Sequence, residues 1–122
     1  MVVEDDPDMT EIVRIILEGE GYNVVCAPSG PDFFSQVKGQ KPDLIVLDVM
    51  LPDMDGLEVL RRVRGDDETS SIPVMMLTIK DQYDDVQRAY ELGCDYYLGK
   101  PFTRKQIVDT VNLLLSHTRR PS

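Results

Sequence analysis

The chain is short of several things, and each shortage excludes something. It has a single histidine, His117, and two cysteines, Cys26 and Cys94, far apart and outside any C-x-x-C pattern. The cysteines read as small apolar fillers of a reduced intracellular chain, not as a disulfide or redox pair. His117, near the end of the last helix, reads as a surface residue favoured by the helix dipole rather than a ligand or phosphodonor. Basic residues are scarce: 13 Lys and Arg face 22 Asp and Glu, for a net charge of −9. That balance excludes a nucleic-acid grip by this domain alone and disfavours an anionic membrane surface. It suits binding a cation. No apolar run approaches the roughly 18 residues of a membrane span. The opening Met1-Val2-Val3-Glu4-Asp5-Asp6 has neither a positive region nor a secretory core, so the expected compartment is the cytoplasm. There is no repeat, low-complexity tract or internal linker.

What remains is ordinary for one folded domain: 122 residues, 42% hydrophobic and 29% charged. The pattern alternates strand and helix. Val2-Val3 is a short apolar run ending in acids. Met9, Ile12, Val13, Ile16 and Leu17 fall on one face of a helix, which Gly19 and Gly21 close. Residues 22–26 read as a strand. Ser29 can cap a helix that has Pro31 in its first turn and Phe33, Phe34 and Val37 inward. Leu44-Ile45-Val46-Leu47 is continuously apolar, which predicts a strand covered on both faces. It ends in Asp48, and a loop with Pro52 and Gly56 follows. Leu57, Leu60 and Val63 mark a helix, residues 73–78 a second buried strand, residues 81–92 a more polar helix and residues 96–98 a brief strand. Thr103-Arg104-Lys105-Gln106 has the pattern of a capping box, opening a helix with Ile107, Val111, Leu114 and Leu115 inward. The expected fold is α/β: a doubly wound, five-stranded parallel sheet with helices on both faces.

In such sheets ligands sit at the carboxyl ends of the strands, where strand order reverses. There the sequence places Glu4-Asp5-Asp6, Asp48, Thr78 and Lys100-Pro101. Clustered carboxylates repel unless a cation neutralises them. An oxygen-lined site with room for water suits Mg2+. A carboxylate beside Mg2+ and a lysine is a plausible nucleophile toward phosphorus, giving an aspartyl phosphate. Read one by one, Asp5 and Asp6 could also cap the helix that starts at Pro7. Asp53 and Asp55 read as solvated turn formers, and Met50, Met54, Met75 and Met76 as core or loop filling.

Four phrases in order carry a resemblance: Val-Val-Glu-Asp-Asp at 2–6, Asp-Val-Met-Leu-Pro-Asp-Met-Asp-Gly at 48–56, Leu77-Thr78, and Tyr-Leu-Gly-Lys-Pro-Phe at 97–102. The chain resembles, nearly end to end, the receiver domain of bacterial two-component response regulators, a flavodoxin-like (βα)5 fold. The resemblance implies that Asp48 is the phosphoacceptor. It implies that Asp6, Asp48 and the backbone carbonyl of Met50 bind Mg2+, with Asp5 acting through metal-bound water. Lys100 would contact a phosphoryl oxygen, Thr78 would hydrogen-bond the phosphoryl group, and Tyr97 would turn inward as Thr78 moves. The Lys100–Pro101 peptide would be cis, and Gly56 would let the loop turn. The donor would be a sensor histidine kinase or histidine phosphotransfer protein. The domain would be a signalling switch and not an enzyme, assisting its own phosphotransfer and slow autodephosphorylation. The output would be the face of the fourth helix, fifth strand and fifth helix, roughly residues 81–117, with a homodimer possible through it. Residues 1–118 would form the receiver and residues 119–122 a tail or the start of a linker to an effector domain, most commonly DNA-binding.

Some positions depart from that pattern. The first strand is short, and Ile79 stands where a small residue is usual, with Lys80 beside it. Tyr96 and Asp109 replace an Asp and an Arg common in winged-helix regulators, which weakens the salt-bridged dimer of that subfamily. A dehalogenase-type phosphotransferase would need a second acid two residues after Asp48, where Met50 stands. A flavin-mononucleotide carrier would need a phosphate loop where Glu4-Asp5-Asp6 would repel one. The remaining alternative is a receiver-like interaction module that takes no phosphoryl group.

Overall fold

The structure, a computed structural model, describes residues 1–78 and 83–116, with every side chain in them except those of Thr78, Tyr83, Asp84 and Asp85. Ile79, Lys80, His117 and the 119–122 tail lie outside the described residues. The elements run β1 (Val2–Val3), α1 (Pro7–Gly19), β2 (Cys26–Ala27), α2 (Gly30–Val37), β3 (Ile45–Leu47), α3 (Gly56–Gly65), β4 (Val74–Thr78), α4 (Tyr83–Glu91), β5 (Tyr96–Gly99) and α5 (Arg104–Ser116). The five strands form a sheet in the order β2-β1-β3-β4-β5, and every pairing is parallel. The order reverses between β1 and β3, which is where a crevice opens in this topology.

Two cores explain the continuous apolar strands. On one face Val3, Ile45, Leu47, Val74 and Met76 pack with α2, α3 and α4 through Phe33, Leu57, Leu60, Val63 and Ala89. On the other, Val2, Val46, Met75, Leu77 and Leu98 pack with α1 and α5 through Val13, Leu17, Ile107 and Val111. Alternate strand residues point to opposite faces, so a strand covered on both must be apolar throughout.

Local signals act as their chemistry predicts. Ser29 caps α2 by accepting from the Asp32 N–H. Thr103 and Gln106 form the reciprocal capping box of α5: Gln106 N–H donates to Thr103 Oγ1 (3.0 Å) and Thr103 N–H to Gln106 Oε1 (2.8 Å). Two expectations differ. The strand expected over residues 22–26 is confined to Cys26–Ala27, because β1 offers only Val2 and Val3 as partners. Ile12 is 48% exposed, because the buried stripe of α1 is centred on Val13 and Leu17.

Candidate functional site

The carboxyl ends of β1, β3 and β5 deliver the polar groups. β1 runs on by one residue past Val3, since Glu4 N–H still donates to Ala27 O (3.1 Å). Glu4 therefore keeps a strand-like position, and its side chain is 5% exposed. Asp5 follows, exposed at the crevice edge. Asp48 N–H donates to Val3 O (3.0 Å), which puts Asp48 at the neighbouring strand end, 6% exposed. Glu4, Asp5 and Asp48 each bring a carboxylate oxygen within 4.8 Å of the others.

Asp6 does something else. It is the N-cap of α1, accepting from Asp8 N–H at 3.0 Å, with Pro7 at the first helical position. Asp6, expected beside Asp48 as a metal ligand, stands at the helix cap, and among the described residues it is Glu4 and Asp5 whose carboxylates meet Asp48. The sequence held the signal in Pro7. Proline favours the first helical position, which makes the residue before it the cap. Glu4 was the residue that sequence reasoning left without a role.

Lys100 reaches in from the end of β5, its side chain 9% exposed. Its Nζ donates to Glu4 Oε1 at 2.8 Å and lies 3.5 Å from Asp48 Oδ2. The Lys100–Pro101 peptide is cis. Burial pushes the Glu4 carboxyl up to about 7, the Asp48 carboxylate pushes the same way, and Lys100 opposes both. This is an acidic crevice with more negative charge than one ammonium neutralises.

The loop after β3 is closed on itself. Met50 N–H donates to Asp48 Oδ1 (3.0 Å), Met50 faces Asp55 in an antiparallel bridge, and Gly56 N–H donates to Val49 O (2.8 Å). A Cβ on Gly56 would lie 2.0 Å from Asp48 O, so glycine is demanded here by close backbone approach rather than by a turn. The Met50 side chain is 54% exposed. Asp55 is not a free turn former, since it caps α3 by accepting from Leu57 N–H (2.9 Å).

Thr78 ends β4 opposite Gly99 of β5. Its side chain lies outside the described set. The Tyr97 ring packs half-buried against the core beneath α3 and α4, whereas Tyr96 points out, 38% exposed. Among the described residues no helix is long and apolar enough to cross a membrane.

Comparison with known proteins agrees with this geometry. A model of the response regulator receiver domain matches residues 1–112. The DNA-binding response regulator MtrA of Mycolicibacterium smegmatis is 40% identical over 115 residues, covering 94% of this chain and 49% of that protein. The chain spans about half the length of the curated relatives it matches. Among solved structures, the signal receiver domain of a signal transduction histidine kinase from Syntrophus aciditrophicus superimposes with a TM-score of 0.90 at 35% identity, covering 99% of this chain and 92% of that one. The receiver domain of a sensor histidine kinase from Pseudomonas aeruginosa has a magnesium ion coordinated in its active-site cleft. It matches with a TM-score of 0.86 at 26% identity over 94% of each chain. Sheet order, acidic crevice and a family match through most of the sequence agree, and the chain belongs to the response regulator receiver domains, a family of phosphorylation-dependent signalling switches.

Proposed function

We propose that Asp48 is the phosphoacceptor of this receiver and that Mg2+ is its cofactor. The observation that carries the reading is the meeting of three carboxylates and one buried ammonium at the β1–β3 reversal. The donor set fits: it is all hard oxygen, it is crowded enough to hold Glu4 partly protonated near neutral pH, and one side is open at Asp5. Asp5 and Asp48 would hold the ion directly with the Met50 carbonyl. Glu4, one oxygen engaged by Lys100, would act from behind. When bound, Mg2+ neutralises phosphoryl oxygens.

The chain's own groups do the rest. A phosphohistidine of a sensor kinase or phosphotransfer protein presents phosphorus to an Asp48 carboxylate oxygen. The O–P bond forms, the P–N bond breaks, and its electron pair stays on the imidazole. Lys100 offsets the charge that builds on the phosphoryl oxygens. Thr78, at the end of β4, hydrogen-bonds the phosphoryl group, and Tyr97 transmits the change. The readout is the face of α4, β5 and α5, which exposes Tyr90, Tyr96 and Leu113 and would serve a homodimer or an effector. An effector half, DNA-binding as in the relatives, accords with their doubled length. Water attack on the acyl phosphate slowly resets the switch in the cytoplasm.

Incubation with acetyl phosphate and Mg2+, read by intact-mass spectrometry, tests this. The wild type should gain one base-labile phosphoryl group and Asp48→Asn none. Equal labelling of the two would remove Asp48 from the role, and no labelling by this donor or by a histidine kinase would leave a receiver-like interaction module instead.

A further inference from the structure

We propose that Asp55, whose side chain caps α3, is a positioning residue for the metal and phosphoacceptor site. The inference rests on the reading of Asp48 and Met50 given above, and extends it to a residue that the sequence alone presents as a solvated turn former.

The loop from Asp48 to Gly56 has two anchors. One is β3, whose Ile45 and Leu47 are fully buried. The other is α3, held in the core by Leu57, Val59, Leu60 and Val63. Asp55 joins loop to helix. Its backbone is extended (φ −63°, ψ 131°), so it still belongs to the loop and bridges Met50. Its main-chain oxygen already accepts from Glu58 N–H (2.9 Å) and Val59 N–H (3.2 Å), and its Oδ1 accepts from Leu57 N–H. The side-chain bond holds the residue at the one conformation that satisfies both the helix start and the bridge.

Across that bridge stands Met50. Its N–H donates to Asp48 Oδ1 and fixes one carboxylate oxygen, and its carbonyl is the proposed third protein ligand. The route from α3 to the reacting carboxylate is thus Leu57 N–H, Asp55, Met50, Asp48. Without the Asp55 side chain, Leu57 N–H loses its acceptor, the bridge loosens, and both the carbonyl and the carboxylate rotamer spread over more positions. An ion that needs near-ideal octahedral geometry binds such a loosened set less well.

The test is Mg2+ titration by calorimetry, with Mg2+ alone as probe, on the full chain well below its unfolding temperature. Asp55→Ala should raise the Mg2+ dissociation constant by about tenfold, the lower end of what outer partners of metal ligands contribute. Asp55→Asn keeps the cap and removes the charge, and should stay within about twofold of wild type. Thr69→Ala removes a hydroxyl that donates to Val63 O at the far end of α3; it should lower thermal stability without changing Mg2+ affinity. Asp55→Glu, which keeps the charge but misplaces the cap, replaces Asp55→Ala should the latter not fold. An unchanged constant in the weakened-cap variant overturns the proposal, as does an equal loss in Asp55→Asn, which would make the effect one of charge. Absence of Mg2+ binding by the wild type would instead overturn the metal reading, and this one with it.

Discussion

The ammonium of Lys100 lies 2.8 Å from Glu4 Oε1, between residues 96 positions apart in the chain. The pair spans the sheet end from β5 to β1 and leaves Lys100 at a longer 3.5 Å from Asp48 Oδ2. Glu4 thus restrains the lysine beside Asp48, at the cost of adding a second buried carboxylate.

That cost is visible as pH dependence. The folded protein holds the Glu4 proton up to about 7, against 4.5 for the unconstrained group. Between those values the folded state binds more protons than the unfolded one, so metal-free stability falls as pH rises. The decline should be on the order of 1–2 kcal/mol, allowing for solvent screening of a site open at one edge. Urea unfolding in EDTA from pH 5 to 8 should show it in the wild type and lose it in Glu4→Gln. A parallel pH course in both proteins would mean that Glu4 is not its source.

Gly56→Ala sets two effects against each other. Alanine within a helix is favoured over glycine by roughly 1 kcal/mol. Its Cβ would lie 2.0 Å from Asp48 O, and relieving that contact must move β3 or α3. Overpacking of this kind costs about 3 kcal/mol when the neighbour is backbone, so the substitution should destabilise by about 2 kcal/mol net. A chemical denaturation midpoint equal to wild type would show that the loop gives way freely.

Arg64 ties three segments together. Its Nε donates to Gly93 O (2.8 Å), Nη1 to Ile72 O (2.7 Å) and Ser70 O (3.2 Å), and Nη2 to Asp95 Oδ2 (2.9 Å), which also accepts from Val74 N–H (2.8 Å). A lysine has one ammonium and cannot reproduce that fork. Arg64→Lys should therefore cost about 2–3 kcal/mol in urea unfolding. Arg61→Ala, which removes an exposed partner of Glu58, should leave the midpoint where it is.

The two thiols should separate cleanly. Cys94 is buried, and burial pushes its thiol up to about 11. Cys26 is half-exposed, with Arg14 Nη2 at 3.3 Å from its sulfur. A disulfide reagent at pH 8 should label Cys26 in the native protein and reach Cys94 only after denaturant is added, and Cys26→Ser should abolish the native-state signal. Rapid labelling of two thiols in the native state would contradict the burial.

Much of this was written in local chemistry. The apolar runs at 44–47 and 74–77 announced strands buried on both faces, because no partly wetted strand tolerates such continuity. Ser29 and the Thr103/Gln106 pair announced helix starts, because a cap is satisfied within four residues of itself. That Asp48 and Lys100 meet in one crevice was legible because each follows directly on a strand, and strand ends converge where the order reverses.

What the sequence could not decide was which two of three consecutive acids turn into the crevice. Glu4, Asp5 and Asp6 are chemically alike, and the chain passes from strand to helix within them, so a shift of one residue exchanges a crevice carboxylate for a helix cap. The choice was made at a distance: the Glu4–Ala27 backbone bond extends β1, α1 starts at Pro7, and Lys100 arrives from β5. Asp55 is the same case, since a solvated turn former and a cap bracing Met50 differ only in what the returning chain brings opposite. Composition and pattern determined the sheet, the helices and the chemistry at their ends. The tertiary structure alone decided which carboxylate meets which partner, because that depends on contacts between segments as far as 96 residues apart.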